Sequence, residues 1–277
     1  MAMKNNQRQI GKVVSLWRYP VKSMIGEEIN SSHVTECGFI GDRQYAIIDR
    51  ETGKVASAKN PRKWGRLFNF RAAFTEPTKE LASVPPVQVT LPDGSQIYSD
   101  NGDVDNTLSR VLGRQVSIMK ASLEKPSYEE YWPDIEGLAR RDKVTDEDMP
   151  PKTFFDIAVI HLSTISTLNR LKELYREGRF DVRRFRPNVV VQSKSDENDF
   201  IENLWVHKKI SIGEETVLRI TGPCTRCVMT TLPQGDLPKD LGILHTIAKY
   251  NQVHAGVYAS VYRGGTIYCG DDVRVED

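Results

Sequence analysis

Between Gly11 and about Leu123, short apolar and β-branched runs follow one another with turn residues between them, and this spacing restricts the fold more than any other feature. Lys12 to Trp17, Glu28 to Glu36, Gln44 to Asp49, Leu67 to Phe74, Val87 to Leu91 and Arg114 to Met119 read as strands. Strands this closely spaced predict a barrel or a sandwich. One helix interrupts them, Val104 to Leu112, with Val104, Leu108, Val111 and Leu112 on one face and Gly113 to end it. After Pro151 the pattern stays β-rich: Phe154 to His161, Asn188 to Gln192, Lys208 to Ile212, Val217 to Thr221, Val257 to Val261 and Thr266 to Tyr268 read as strands. Ser163 is read as the N-cap of a helix running through Glu177 and stopped by Gly178, and a short helix is expected near Ile243 to Tyr250. No strand alternates with a crossover helix in a βαβ rhythm, which argues against a Rossmann-like fold. The fold class expected is therefore mainly β with a few helices (α+β).

The chain is 277 residues long, enough for one large or two medium domains, and shows no internal repeat. We divide it into residues 10–123, a connecting segment 124–150, and residues 151–277. The stretch from Glu124 to Pro151 carries four prolines and many acids with little periodicity. It is long for a passive connection and suits a functional loop over a site. The 38 basic and 37 acidic residues nearly cancel, so bulk charge predicts no nucleic-acid or anionic-membrane partner. The polar start, Met1 to Gln9, lacks the apolar core of a signal peptide, and no run approaches a membrane span. A cytoplasmic location is expected, and the four cysteines are expected to be free thiols.

The chemically loaded segment is Ile220-Thr-Gly-Pro-Cys-Thr-Arg-Cys-Val-Met-Thr-Thr231. Cys224 and Cys227 flank Arg226, a cation that would favour a thiolate. Four readings are open for the pair. A structural zinc would need about four ligands, and neither Cys37 nor Cys269 is followed by a second one at a usual spacing. A thioredoxin-like couple would put the first cysteine at a helix N-terminus, which Thr230, Thr231 and Pro233 oppose. Two ordinary buried thiols are the plainest alternative. The fourth reading is one reactive thiolate that binds a soft metal or carries sulfur.

Three further clusters suit an anion: Arg18-Tyr-Pro-Val-Lys-Ser23, the turn Gly41-Asp-Arg43, and Arg183-Arg-Phe-Arg-Pro-Asn188. Each alone reads as a solvated surface turn. Arg186 is the most informative cation, because Pro187 restrains the backbone beside it and Phe185 and Val189 predict burial, and a buried arginine needs a carboxylate or a phosphate. Asp156 reads first as a cap or a partner for Arg186. His161, His207, His245 and His254 form no ligand-spaced pair, and Trp205 reads as core.

These pieces, in this order, resemble the MOSC family, the molybdenum cofactor sulfurase C-terminal domain, preceded by its N-terminal β-barrel partner. Within it they resemble the mitochondrial amidoxime reducing component and bacterial proteins built alike. The marks are Tyr19-Pro-Val-Lys-Ser23 and Gly41-Asp-Arg43-Gln-Tyr-Ala-Ile-Ile-Asp49 in the first half. In the second they are Phe155-Asp156, Leu162-Ser163, Phe185-Arg186-Pro187-Asn188-Val-Val-Val191, Trp205 with Ile212-Gly213, and Cys224-Thr-Arg-Cys227-Val-Met-Thr-Thr231. The resemblance implies a barrel-like first domain, a MOSC β-barrel, and a molybdenum-pterin cofactor in the cleft between them. By position, Cys227 would be the metal ligand and catalytic residue, with Cys224 and Arg226 behind it. Lys22, Ser23, Arg43 and Arg186 would hold phosphate and pterin, with Asp156, Ser163 and Asn188 also on the cofactor side.

The reaction so implied is reductive removal of oxygen from small N-hydroxylated substrates. No cysteines for a plant-type ferredoxin domain are present, so no intrinsic iron–sulfur cluster is expected, and electrons would come from a separate flavin, haem or iron–sulfur protein. A second reading makes Cys227 a persulfide carrier for assembly of the molybdenum cofactor or another metal–sulfur centre. In the founding relatives the MOSC domain is fused to a pyridoxal-phosphate-dependent desulfurase, and pyridoxal phosphate would here belong to a partner if used at all. A third reading is a non-catalytic cofactor-binding or storage module.

Overall fold

The structure, a computed structural model of the chain, describes residues 7–78, 84–136, 138, 140–194 and 198–276. The first part contains β1 (Gln7–Arg18), β2 (Glu27–Ile29), β3 (Ser31–Thr35), β4 (Gly38–Phe39), β5 (Tyr45–Asp49), α1 (Pro61–Trp64), β6 (Arg71–Phe74), β7 (Val87–Thr90), β8 (Gln96–Tyr98), α2 (Val104–Leu112) and β9 (Val116–Lys120). A hairpin follows, β10 (Ser127–Trp132) with β11 (Lys143–Asp148). The remainder is β12 (Ile160–Thr164), α3 (Ile165–Leu174), α4 (Val182–Phe185), β13 (Val189–Ser193), β14 (Lys209–Ile212), β15 (Thr216–Thr225), α5 (Leu241–Asn251), β16 (His254–Arg263), β17 (Gly265–Tyr268) and β18 (Asp272–Glu276).

Seven strands close a barrel in the order β1, β13, β12, β16, β15, β14, β18 and back to β1. The long first strand is what closes it: β1 pairs antiparallel with β13 through Gly11 to Leu16 and with β18 through Gln7 to Lys12. The second-half barrel therefore contains a strand that the sequence division places in the first half. Full closure leaves the barrel no open edge. Its interior is packed with branched side chains, including Val13, Leu16, Leu162, Val191, Ile210, Leu218, Val257 and Val273, with Trp205 against them as expected.

In the first part β5 pairs with β9, and β6, β7 and β8 form a meander. Single bridges tie these sheets to the chain after β1, Val21 with Tyr45 and Ile25 with Arg71. They wrap a second core of Val21, Met24, Ile47, Trp64, Leu67, Phe70, Val89 and Leu108. Helix α2 has the bounds its periodicity predicts, buries Val104 and Leu108, and ends at Gly113 in the left-handed region at φ 69°.

Other expectations are corrected. Thr164, not Ser163, caps α3, its hydroxyl accepting from the Thr167 N–H at 3.1 Å, because β12 runs through Thr164 and the helix starts only at Ile165. The helix ends at Leu174, short of Glu177. The segment from Phe154 to Val159 is irregular, and the strand begins at Ile160. Leu67 to Phe74 splits into a 3₁₀ turn through Asn69 and the strand β6. One βαβ unit exists after all, since β12 and β13 run parallel with α3 between them. The stretch read as a connection holds the paired strands β10 and β11: Glu129 and Glu130 stand between Tyr128 and Tyr131-Trp132, which hides the period-two pattern.

Barrel closure is tight at Gly11, where an added Cβ would lie 2.4 Å from the Gln192 carbonyl oxygen and 2.7 Å from Val191 Cγ1. Gly11→Ala should cost about 1–3 kcal/mol by overpacking, read as a lower midpoint in urea unfolding. Gly102→Ala, which meets open space, serves as the control and should leave the midpoint nearly unchanged.

Candidate functional site

The register of β1 against β13 assembles the site. Leu16 stands opposite Val189, and the Trp17 N–H donates to the Asn188 carbonyl at 2.9 Å. Tyr19 to Ser23, directly after β1, and Arg186 to Asn188, directly before β13, therefore share one end of the barrel. The turn Gly41-Asp42-Arg43 locks this junction. The buried Asp42 carboxylate accepts from the Tyr19 N–H at 2.8 Å and from Asn188 Nδ2 at 2.8 Å, and pairs with Arg43 Nη1. Asn188 Oδ1 accepts from the His161 N–H at 3.1 Å, so both ends of that amide serve the framework.

Three residues of this junction, Ser23, Arg43 and Arg186, have left-handed backbone at φ 63°, 48° and 55°. Such conformations strain a residue with a side chain and persist only where the surroundings impose them. Arg186 is a correction in detail: the residue before a proline favours extended backbone, yet here it is the left-handed cap of α4, its N–H donating to the Val182 carbonyl at 3.1 Å. Its guanidinium is buried, donates to the Met24 carbonyl at 2.7 Å, and lies 4.1 Å from the centre of the Tyr19 ring, with that of Arg43 at 4.4 Å. Among the described residues Arg186 has no carboxylate partner. Burial pulls its pKa down to about 10, which still leaves it charged near neutrality.

Asp156 does not pair with Arg186. It bonds Lys22 and lies 3.3 Å from Lys59 Nζ. Burial would raise its pKa, but these two ammonium groups outweigh it and hold the carboxyl well below the usual range. Lys59 is the residue the sequence reading misses. Its Nζ also donates to Tyr128 Oη at 2.9 Å and to Glu130 Oε2 at 3.1 Å, joining the first half, the hairpin and the barrel. Ser57-Ala-Lys59-Asn-Pro61 has no distinguishing pattern, and only burial reveals the role.

The cysteine segment leaves β15 at Thr225, and Cys227 opens a single 3₁₀ turn, Val228 to Thr231. This turn is held by Arg184, which is completely buried and donates to the carbonyls of Arg179, Thr230, Leu232 and Pro238 at 2.7–3.2 Å. Cys224 is buried and receives Arg226 Nη1 at 2.7 Å, so the guanidinium expected to serve the pair is committed to the inner sulfur. Cys227 is half-buried. Burial pushes its thiol up to about 11, against the opposing pull of Lys59 and then Arg226.

Lys22, Ser23, Arg43, Asp156, Arg186, Asn188, Cys224, Arg226 and Cys227 all line one cavity of about 360 Å³. Lys59, Tyr128, Glu130, Trp132, His161 and Tyr258 line it too. Ser163 does not: it is buried in β12, and its hydroxyl has no partner among the described residues. His161, pulled down to about 3 by burial, is neutral.

Residues 151–274 match the MOSC domain, and residues 10–118 match the MOSC N-terminal beta barrel domain. The chain belongs to the MOSC family. It is 24% identical to mitochondrial amidoxime reducing component 2 of Rattus norvegicus, over 96% of this chain and 83% of that protein. It is 26% identical to mitochondrial amidoxime-reducing component 1 of Mus musculus, over 96% and 82%. It is 25% identical to molybdenum cofactor sulfurase of Oryza sativa subsp. japonica, over 84% of this chain but 30% of that protein. The cavity of this MOSC protein draws Lys22, Ser23, Arg43 and Lys59 from one matched segment and Asp156, Arg186, Asn188 and both cysteines from the other.

Two outcomes follow from the cysteine loop. Removing the Arg184 guanidinium strands four carbonyl oxygens, so Arg184→Met should lower stability by at least about 2 kcal/mol, measured by urea unfolding. Alkylation of Cys227 in cofactor-free protein, followed by peptide mass spectrometry, should accelerate with pH up to about 11, because the thiolate fraction rises until that value is passed. Lys59→Met removes the leading cation that favours the thiolate and should slow alkylation at any given pH below that value.

Proposed function

We propose that this protein is a molybdenum-cofactor-dependent oxidoreductase that removes oxygen from N-hydroxylated compounds, with Cys227 as the protein ligand to the metal. The observation that carries the reading is one half-exposed thiol lining a cavity that also holds a buried guanidinium, Arg186, without a carboxylate partner. A buried cation of this kind suits a phosphate. One more polar atom of a side chain that lines the cavity, Arg226 Nε, is buried without a partner among the described residues, as expected beside a site that receives a ligand.

The residues fit the group. Among the described residues no set of three His, Cys, Asp or Glu could hold a metal alone, so a metal at Cys227 must arrive with its own chelate. A pterin dithiolene is such a chelate, and a soft thiolate suits molybdenum. Arg186 and Arg43 would take the phosphate, with Lys22 and the Ser23 hydroxyl beside them. When bound, the cofactor would supply two-electron redox chemistry and accept the oxygen. The overall balance, R–NHOH + 2 e⁻ + 2 H⁺ → R–NH₂ + H₂O, requires protons and an electron donor.

The protein side of that balance rests on its own groups. Asp156, held ionised by Lys22 and Lys59, acts as a fixed counter-charge and not as an acid. Glu130 is the buried carboxyl of the cavity whose pKa burial raises, which suits it to hold a proton. Electrons would come from a separate flavin, haem or iron–sulfur protein. The high value at Cys227 disfavours the persulfide-carrier reading, since sulfur exchange needs a ready thiolate, whereas metal binding itself drives deprotonation.

Cys227→Ser should keep the thermal midpoint near wild type yet lose bound molybdenum and the reduction of an N-hydroxylated substrate with dithionite as donor. Elemental analysis and product assay check this, and wild-type metal content with full activity in the variant would overturn the assignment. Arg186→Ala should lower pterin retention.

A further inference from the structure

Where α5 passes into β16, Gln252 and Val253 are both left-handed, at φ 51° and 67°, and Gly256 follows at φ 84°. A β-branched residue keeps that conformation only where its surroundings impose it. Val253 is buried; its N–H donates to the Ile247 carbonyl at 3.2 Å, and its carbonyl accepts the Arg226 N–H at 2.7 Å. The strained residue therefore carries the acceptor that fixes the chain one residue before Cys227. Thr225, one residue earlier, pairs with His254 of the same corner after a register shift between β15 and β16.

The corner is held in turn from the 3₁₀ turn Ile201–Trp205. Glu202 is 1% exposed and pairs with no cation among the described residues. Its Oε1 accepts the Gly256 N–H at 3.1 Å, and its Oε2 accepts the hydroxyls of Thr164 at 2.7 Å and Thr167 at 2.6 Å, at the start of α3. A buried carboxylate without a counter-charge is costly, and only such donors make it tolerable. Gly256 has no room for a side chain, since a Cβ there would lie 2.3 Å from His161 Nε2 and 2.7 Å from the Leu162 carbonyl oxygen. The next residue, Asn203, donates from Nδ2 to Asn251 Oδ1 at 2.9 Å, and Asn251 Nδ2 donates to the His254 carbonyl at 2.8 Å. Two adjacent side chains thus pin the backbone on both sides of Val253.

We propose that Glu202 and Asn203 are positioning residues for Cys227: they hold the corner 251–256 in its strained form, and the Val253 carbonyl of that corner sets how the cysteine loop leaves β15. Arg184 holds the far side of the loop through the carbonyls of Thr230 and Leu232, so the thiol is fixed from both directions. Neither Glu202 nor Asn203 lines the cavity. The inference rests on the reading of Cys227 as ligand of a redox metal, where a small displacement of the ligand costs turnover more than substrate binding.

The test compares wild type with three variants. Glu202→Met deletes the acceptor, Glu202→Gln keeps an oxygen for the Gly256 N–H while its amide meets the threonine hydroxyls, and Asn203→Ala cuts the link to Asn251. In cofactor-free protein, hydrogen exchange of the peptide carrying Arg226 is followed by mass spectrometry against a peptide from β13, and alkylation of Cys227 against that of the exposed Cys269. Glu202→Met and Asn203→Ala should speed exchange at Arg226 about tenfold and alkylate faster at Cys227, with β13 unchanged and Glu202→Gln close to wild type. In molybdenum-loaded protein reducing an N-hydroxylated substrate with dithionite, the same two variants should lose kcat with KM nearly unchanged. Wild-type exchange at Arg226 in both variants would overturn the proposal, and so would faster exchange with Cys227 alkylation and kcat both unaltered. Should Glu202→Met not fold, Asn203→Ala decides. If wild type itself shows no turnover, the reductase reading fails, and exchange together with alkylation still settles the role of the corner.

Discussion

The site depends on one piece of β-sheet geometry, the double pairing of β1 with β13 and β18. That strand completes a barrel built otherwise from the second half, and its antiparallel register against β13 sets Leu16 opposite Val189. The residues leaving β1 and those entering β13 are then neighbours, although more than a hundred positions of sequence separate them. Asp42 completes the junction, receiving donors from Tyr19 and Asn188 and pairing with Arg43. A single buried carboxylate thus fixes three segments, and the left-handed backbone of Ser23, Arg43 and Arg186 is the local strain this convergence imposes.

Charge in the cavity is arranged in two ways. Lys22, Asp156 and Lys59 alternate in sign and satisfy one another, and Lys59 also donates to Glu130 of the hairpin. Buried charges of this kind contribute little net stability, but removing one strands the others. Arg186 and Arg226 are different, since they bond carbonyls and sulfur and meet no carboxylate among the described residues. The first set shapes the walls, and the second leaves positive charge for a ligand. Arg184, two residues from Arg186, belongs to neither: its guanidinium is used up on four carbonyls that shape the loop carrying Cys227.

Much of this was legible in the residues. The β-rich pattern, the helix from Val104 to Leu112 with its glycine stop, and the burial of Arg186 and Trp205 follow from periodicity and local chemistry. The hairpin was not legible, because its inner face carries Glu130 and Trp132 where a core strand would carry aliphatic side chains. Lys59 was not legible either, since a lysine before Asn-Pro looks like any surface turn. Ser163 was over-read: its hydroxyl type suits a cap or a ligand, but Thr164, the last residue of the strand and the one directly before the helix, takes the cap.

By itself the sequence determined which side chains could do chemistry: two thiols around an arginine, three basic turns, and a β framework to carry them. Only the tertiary structure decided which of them act together. It separated Cys224, locked to Arg226, from Cys227, open to the cavity, and gave Asp156 to the lysines in place of Arg186. It also recruited Lys59 and the hairpin. The physical reason is that thiol acidity, ion pairing and exposure depend on neighbours within a few ångströms, and in a closed barrel strand register chooses those neighbours across long stretches of chain.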